Sequence, residues 1–354
     1  LGNNKNILFC PLDWGLGHTT RCIPIIHKLI ENNFNVYIAG NSTIINIVLG
    51  EVPQVKHIYF KGYGIFYNRK MPFFLTLLFQ FPKILIRILL EHQQLKKIIK
   101  KHNIDVVISD NRFGLWCRSV KSIYITHQIM IKCPKHLVKL EKVLYKIHKW
   151  IINKYSECWI PDFEGTPNLS GDLSHKYAVP KNTIFIGPLS RISHANTNDI
   201  LDFDVLFLLS GPEPQRTVFE EIITKSILNT DRKIAIIRGI TDQDKDLNVS
   251  HYVINYANNN ELEKTIRRSK LIISRSGYST IMDLAAMSKK AVFIPTPGQT
   301  EQEYLAEYLF TEGHFYYMRQ DEFSLETAIT EAEKFAGIFA VNDYDILTER
   351  ICLL

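Results

Sequence analysis

The feature that most constrains this chain is a rhythm that runs, stops and starts again. In the first half the runs "NILFCPL", "NVYIAG", "VKHIYF", "DVVISD", "SIYITH" and "ECWIPD" are continuously apolar rather than alternating, the pattern of strands covered on both faces. Stretches with helical spacing, such as 20–32, 83–101 and 135–155, lie between them. Strands joined by helical crossovers imply a parallel sheet, because a parallel return needs a long connection. After residue 200 the rhythm restarts with "DVLFLLS", "KIAIIRG", "HYVINYA", "KLIISRS", "KAVFIPT" and "FYYMRQ". The expected class is therefore α/β, with two Rossmann-like domains. Residues 1–165 form the N-terminal one and 201–354 the C-terminal one, and 166–200, rich in Pro, Gly, Ser and Asn, is the linker. A length of 354 residues with 46% hydrophobic content is enough for two cores.

The net charge of +6 is uneven. Residues 61–101 carry nine Lys or Arg against one acid, Glu91, and 128–154 carry seven Lys against Glu141. A basic surface meets nucleic acid, anionic lipid or a phosphorylated substrate, and charge alone does not choose. The six cysteines are scattered without a CxxC pair, so neither a zinc ribbon nor a disulfide framework is indicated. With no leader-like stretch at its start, the sequence is expected to work in the reducing cytoplasm. Asp-x-Asp occurs at 202–204, 242–244, 244–246 and 343–345; none follows a buried strand as a metal clamp should, so all are read as solvated acids and no metal is expected.

In parallel sheets ligands bind beyond the carboxyl ends of the strands, and the informative residues lie there. "DWGLGHTTR", 13–21, leaves the first strand through Gly15 and Gly17, which permit positive φ, and places His18 before a helix expected from Thr19 or Thr20. The alternative is a glycine turn with a histidine cap. A dinucleotide fingerprint is disfavoured, since position 20 is Thr and Asn41 follows Gly40, so no nicotinamide or flavin cofactor is expected. Asp110 and His127 also end apolar runs. Asp110 either orients a histidine or caps the next helix; His127 is a rival base, an acceptor ligand or a structural histidine.

The stretch "LIISRSGYSTIMDLAAMSKKAVFIPTPGQTEQEYLAEYL", 271–309, resembles the nucleotide-sugar-binding region of GT-B glycosyltransferases. The closest likeness is to the family 28 C-terminal domain, as in the peptidoglycan UDP-N-acetylglucosamine transferase family. The resemblance implies two Rossmann-like domains with parallel sheets facing a central cleft. It also implies a UDP-sugar donor, inverting transfer of a hexose or N-acetylhexosamine, and these donor contacts: Arg275, Ser276 and Gly277 at the phosphates with Ser279 and Thr280, Asp283 at the ribose, Glu301 and Gln302 at the sugar. Asp283 replaces the more usual Glu, and Leu305 stands where relatives often have Asn. "IGPLSR" resembles a junction element whose Arg, here Arg191, reaches the donor phosphate. Ser210 and Gly211 take the place of a first glycine loop, with Arg216 either a donor contact or a helix-face charge. Gly17 would face the donor, His18 would be the general base, and Asp110 would orient it.

For the acceptor, 71–90 is apolar with Pro82, Lys83 and Arg87 inside it, a pattern of an interfacial or core helix rather than a membrane span. Lys135, Lys139, Lys142, Lys146 and Lys149 repeat at steps of four and three along one helical face. Together they suggest docking on the anionic inner face of the cytoplasmic membrane and a lipid-linked or cell-envelope glycan acceptor, without nucleic acid. Two other classes stay open: a non-hydrolysing nucleotide-sugar epimerase, and a catalytically silent nucleotide-sugar-binding protein.

Overall fold

The computed structural model describes residues 5–65, 73–192, 201–211, 213–240, 247, 250–338 and 345–354. The chain divides into two compact units, Leu1–Arg191 with Asn342–Leu354, and Ile192–Val341.

The first unit runs β1 (Asn6–Cys10), α1 (Leu16–Glu31), β2 (Asn35–Gly40), α2 (Ser42–Glu51), β3 (Lys56–Tyr59), α3 (Phe73–His102), β4 (Val106–Asp110), β5 (Lys121–Ile125), α4 (Val138–Ile152), β6 (Glu157–Ile160), α5 (Asp172–His175) and β7 (Thr183–Phe185). Its strands lie in the order β3-β2-β1-β4-β5-β6-β7, all paired in parallel. The second unit runs β8 (Phe203–Leu208), α6 (Gln215–Ser226), β9 (Ile234–Ile237), β10 (Tyr252–Ile254), α7 (Asn259–Arg267), β11 (Ser269–Ser274), α8 (Tyr278–Ala286), β12 (Ala291–Phe293), α9 (Thr300–Thr311), β13 (Tyr316–Tyr317) and α10 (Leu325–Ala332). Its order, β10-β9-β8-β11-β12-β13, repeats that plan. The apolar runs account for this layout: Ile7, Leu8 and Phe9 of β1 and Ile272 and Ile273 of β11 have no exposed surface, because helices cover both faces.

In each sheet the chain builds outward on one side of its first strand and then crosses to the other. β1 and β4 are therefore neighbours, with Cys10 opposite Ser109, and so are β8 and β11, with Leu208 opposite Ser274. Between such strands the following loops diverge and leave a crevice at their carboxyl ends.

Two expected boundaries move. The segment 166–191 is not linker: β7 pairs with β6, Trp159 opposite Ile184, and closes the first sheet. The chain end is not part of the second unit either. The last helix, α11 (Ile346–Cys352), packs on α1. Asp345 caps it and pairs with Lys28, and Arg350 Nη2 reaches Glu157 Oε1 at 2.5 Å. Residues 193–200 of the expected linker, the 242–246 acids, Asp343, and positions 71–72 of the apolar stretch lie outside the described residues.

Candidate functional site

In the first unit the crevice between β1 and β4 holds a charged cluster. α1 starts at Leu16, earlier than its sequence suggested, so Gly17 and His18 sit in its first turn rather than before it. Only Gly15, at φ 123°, uses the left-handed region. Gly17 instead has a helical role, its carbonyl accepting Thr20 Oγ1 at 3.3 Å. His18 Nδ1 lies 2.8 Å from Asp110 Oδ1, joining residues 92 positions apart. Asp110 has no exposed side-chain surface, whereas His18 keeps 19% of its own. Asp110 is thus bonded to His18 and does not cap a helix.

Arg21, three residues after His18 and therefore on the same helix face, was not singled out by the sequence. It completes the cluster. Its Nε meets Asp110 Oδ2 at 2.6 Å, its Nη2 meets Oδ1 at 2.5 Å, and its Nη1 lies 3.0 Å from His127 Nδ1. Burial by itself would push the Asp110 carboxyl up, but the Arg21 guanidinium and His18 outweigh it and hold the carboxyl well below its ordinary range. His127 is buried behind this pair. Two further contacts set the surrounding loops. Asp13 accepts the amides of Tyr63 and Gly64 at 3.3 and 3.5 Å, and a Cβ at Gly62 would fall 1.9 Å from its carboxylate. The buried Arg112 pairs with Glu91 of α3 and donates to the carbonyls of Pro11 and Lys61 at 3.5 and 3.1 Å. Together they tie the loops after β1, β3 and β4.

In the second unit the crevice between β8 and β11 is bordered by Ser210 and Gly211 on one side and Arg275, Ser276 and Gly277 on the other. Here the side chains turn inward. Arg275 is fully buried. Its Nη1 donates to the carbonyls of Ile294 and Pro295 at 2.9 and 3.2 Å, and its Nη2 to the Gln215 carbonyl and Gln320 Oε1 at 3.0 and 2.6 Å. Burial pushes its guanidinium down to about 9. In this structure Arg275 braces the loops beside it, and its Nε has no hydrogen-bond partner among the described residues. The Ser276 hydroxyl donates to the Gln302 carbonyl at 2.8 Å, and Gln302 Oε1 accepts the Thr296 amide at 2.9 Å, so both fasten α9 to the loops beside it. Asp283 is buried on α8, while Ser279, Thr280 and Glu301 are half-buried on their helices.

What faces outward is backbone. Gly277 precedes α8 at φ −73° and ψ 137°, an ordinary extended conformation, and a Cβ there would meet nothing within 4 Å. Neither strain nor packing requires glycine. The first bond of α8 runs from the Ile281 amide to the Gly277 carbonyl, and no side chain caps the helix. Its N-terminal amides carry the partial positive charge that suits an anion.

Arg216 is not a solvated charge. It pairs with Glu213 at 2.6 Å and Glu220 at 2.8 Å, and Glu220 is clasped by Arg238, which follows β9 and reaches Asn255 after β10. Glu213, Arg216 and Glu220 are neighbours along the chain, but Arg238 and Asn255 join them from beyond later strands, a meeting the sequence did not show. Arg191 ends the first unit, half-buried, four residues after Gly187 at φ 76°. Asp202 and Asp204, read as solvated acids, pair with Arg268 and Lys270.

With this geometry in place, residues 207–337 match the family described as the glycosyltransferase family 28 C-terminal domain. The second unit thus carries the likeness to family 28, and the chain as a whole has the GT-B fold, two parallel-stranded α/β units. Solved structures agree on the fold. The glycotransferase of kitacinnamycin superposes with a TM-score of 0.63 at 14% identity, covering 99% of this chain and 94% of that one. CalG4, the calicheamicin glycosyltransferase, gives 0.62 at 12%, covering 99% and 92%. MurG of Acinetobacter baumannii gives 0.58 at 13%, covering 99% and 98%. No curated protein matches in sequence.

Proposed function

We propose that this protein is an inverting glycosyltransferase that moves a hexose or N-acetylhexosamine from a UDP-sugar to a hydroxyl of a lipid-linked or cell-envelope glycan acceptor. The observation that carries the reading is the His18–Asp110 pair. An ionised carboxylate is an acceptor only, so it takes the Nδ1 proton of His18 and leaves the Nε2 lone pair for a substrate. The acceptor hydroxyl gives its proton to that nitrogen as its oxygen bonds to the anomeric carbon, and the bond from that carbon to the diphosphate breaks. In-line displacement inverts the configuration. The departing diphosphate is met by the amides at the start of α8 across the open face of Gly277, so the reading needs no metal. The UDP donor is supported by the family 28 match over residues 207–337.

The lipid acceptor is supported by the surface of the first unit. Phe79, Phe81, Ile86 and Leu89 of α3 are exposed, Phe79 by 75%. On α4, Val143, Ile147 and Trp150 form an exposed apolar ridge beside the exposed Lys139, Lys142 and Lys146. Lys149 departs from the expected stripe by bonding to the Tyr145 hydroxyl at 3.2 Å. A chain of rings links the two helices: His92 on Trp116 at 4.4 Å, then Lys154 between Trp116 and Trp150 at 4.8 and 3.9 Å. Among the described residues no helix is long and apolar enough to cross a membrane, which is compatible with docking at the surface. Two experiments test the reading. NMR of the product should show the anomeric configuration inverted, and retention would overturn the mechanism. Sedimentation with anionic vesicles should weaken at high salt and when Lys139, Lys142 and Lys146 are changed to Glu; binding indifferent to both removes the reason for a lipid acceptor.

A further inference from the structure

We infer that Arg21 is a positioning residue that makes His18, and not His127, the base of the first unit by holding the two imidazoles in opposite tautomers. The inference rests on the reading of His18 as the proton acceptor, and it decides between two histidines that the sequence left as rivals.

A guanidinium carries only donors. Its Nη1, 3.0 Å from His127 Nδ1, must therefore meet a lone pair, so that nitrogen bears no proton. A neutral His127 then carries its proton on Nε2 and has no lone pair to receive another. Doubly protonating it would set N–H against N–H. The other edge of the same guanidinium clasps both oxygens of Asp110 and keeps that group ionised. Asp110, an acceptor only, selects the Nδ1–H form of His18 and leaves Nε2 open. One cation thus writes opposite protonation patterns on two rings. Among the described residues, the charged and titratable groups that act on Asp110 include His18, Arg21 and Cys22 from α1 and Tyr124 from β5, with His127 from the segment after β5 reached through Arg21. Burial keeps the Cys22 thiol protonated, 3.5 Å from Asp110 Oδ2, so it does not compete for the role. The ring of His127 is further fixed through its backbone, whose carbonyl accepts Ser174 Oγ at 2.7 Å. Its Nε2 lies 3.4 Å from the Gln128 side-chain amide, which can turn its oxygen to receive the proton. His127 is left as a donor.

The test is ring 15N NMR on histidine-labelled protein, with His18 and His127 assigned by single His→Gln variants. In the unsubstituted enzyme Nδ1 of His127 should give a pyridine-like shift and Nε2 a pyrrole-like one, with His18 the reverse. Arg21→Gln should release His127 to titrate between about pH 5 and 8, add a second ionisation to the acid limb of the kcat profile, and lower kcat on the order of 10²-fold with KM for the donor little changed. Arg21→Lys, which keeps a charge without the fork, should fall between the two. An Nδ1–H tautomer for His127 in the unsubstituted protein overturns the inference whatever the variants do. Unchanged ring shifts in a folded Arg21→Gln protein overturn it equally. The spectra need no substrate, so they report on Arg21 even if His18 proves not to be the base, an outcome that a His18→Ala assay would show separately.

Discussion

The two crevices share one topology and use it in opposite ways. Between β1 and β4 the first unit projects side chains: His18 stands on a fully paired base of Asp110, Arg21 and His127. Between β8 and β11 the second unit withdraws them, with Arg275, Ser276 and Gln302 bonded inward and open space before the Cα of Gly277. Proton transfer needs a titratable group aimed at one atom. Holding a diphosphate needs several donors at once, and a helix N-terminus with no Cβ in front of it supplies them without ordering long side chains.

The largest effect that tests this contrast should come from His18→Ala, which removes the projecting group. We expect kcat to fall on the order of 10²–10⁴-fold while donor affinity, measured by calorimetry, stays close to its original value. Near-normal turnover would end the chemical role of the first crevice.

Acid should also distinguish the units. His148, buried between the Tyr124 hydroxyl at 3.0 Å and the Ile129 carbonyl at 3.2 Å, is pushed by burial down to about 4. Since its unfolded value is near ~6.5, the unfolded chain binds a proton first as pH falls. The stability this group contributes is therefore complete above about pH 6.5 and is lost toward pH 4, on the order of 3 kcal/mol. Among the described residues, buried histidines occur only in the first unit. Hydrogen exchange at pH 5 should show the first unit losing protection before the second, and His148→Gln should narrow the gap. Equal loss in both units would place the acid sensitivity elsewhere.

Arg275→Met probes the inward side chains. Leaving the carbonyls of Ile294, Pro295 and Gln215 without their donor should cost about 1–3 kcal/mol in urea unfolding. Donor affinity should change less than stability does; the reverse ranking would return Arg275 to the phosphate.

The smallest expected effect is the most diagnostic. Gly277→Ala adds a methyl where nothing lies within 4 Å, so stability should shift by no more than about 0.5 kcal/mol. If that space belongs to the donor, UDP-sugar affinity should nonetheless fall roughly tenfold, about 1.4 kcal/mol. Unchanged binding would move the diphosphate away from α8.

Local pattern made much of this legible. Each quoted apolar run contains a strand: central strands such as β1 and β4 are covered on both faces, which demands uninterrupted apolar residues, while the edge strands β3, β10 and β13 are only partly buried. The exception is instructive: Thr183–Phe185 forms β7 with all three residues half-buried, and an edge strand that short leaves no periodic signal. His18 and Asp110 were visible near strand ends, Asp110 as the last residue of β4 and His18 in the first turn of the helix after β1, where loops and ligands meet. Arg21 was not, although its spacing from His18 gave the only local hint.

The sequence by itself determined the elements, the doubled parallel plan and the positions of the loops that matter, since these follow from interactions between residues close along the chain. Which residue meets which was decided by tertiary structure. β4 lies beside β1 because the chain crosses back over its first strand, and that crossing carries Asp110 to His18 and Arg21. The same kind of crossing brings the carbonyls of Ile294, Pro295 and Gln215 and the side chain of Gln320 around Arg275. A charged side chain reads the same in any sequence; whether it faces solvent, a ligand or a ring of carbonyls depends on what the fold packs around it, and only there do desolvation and pairing set its role.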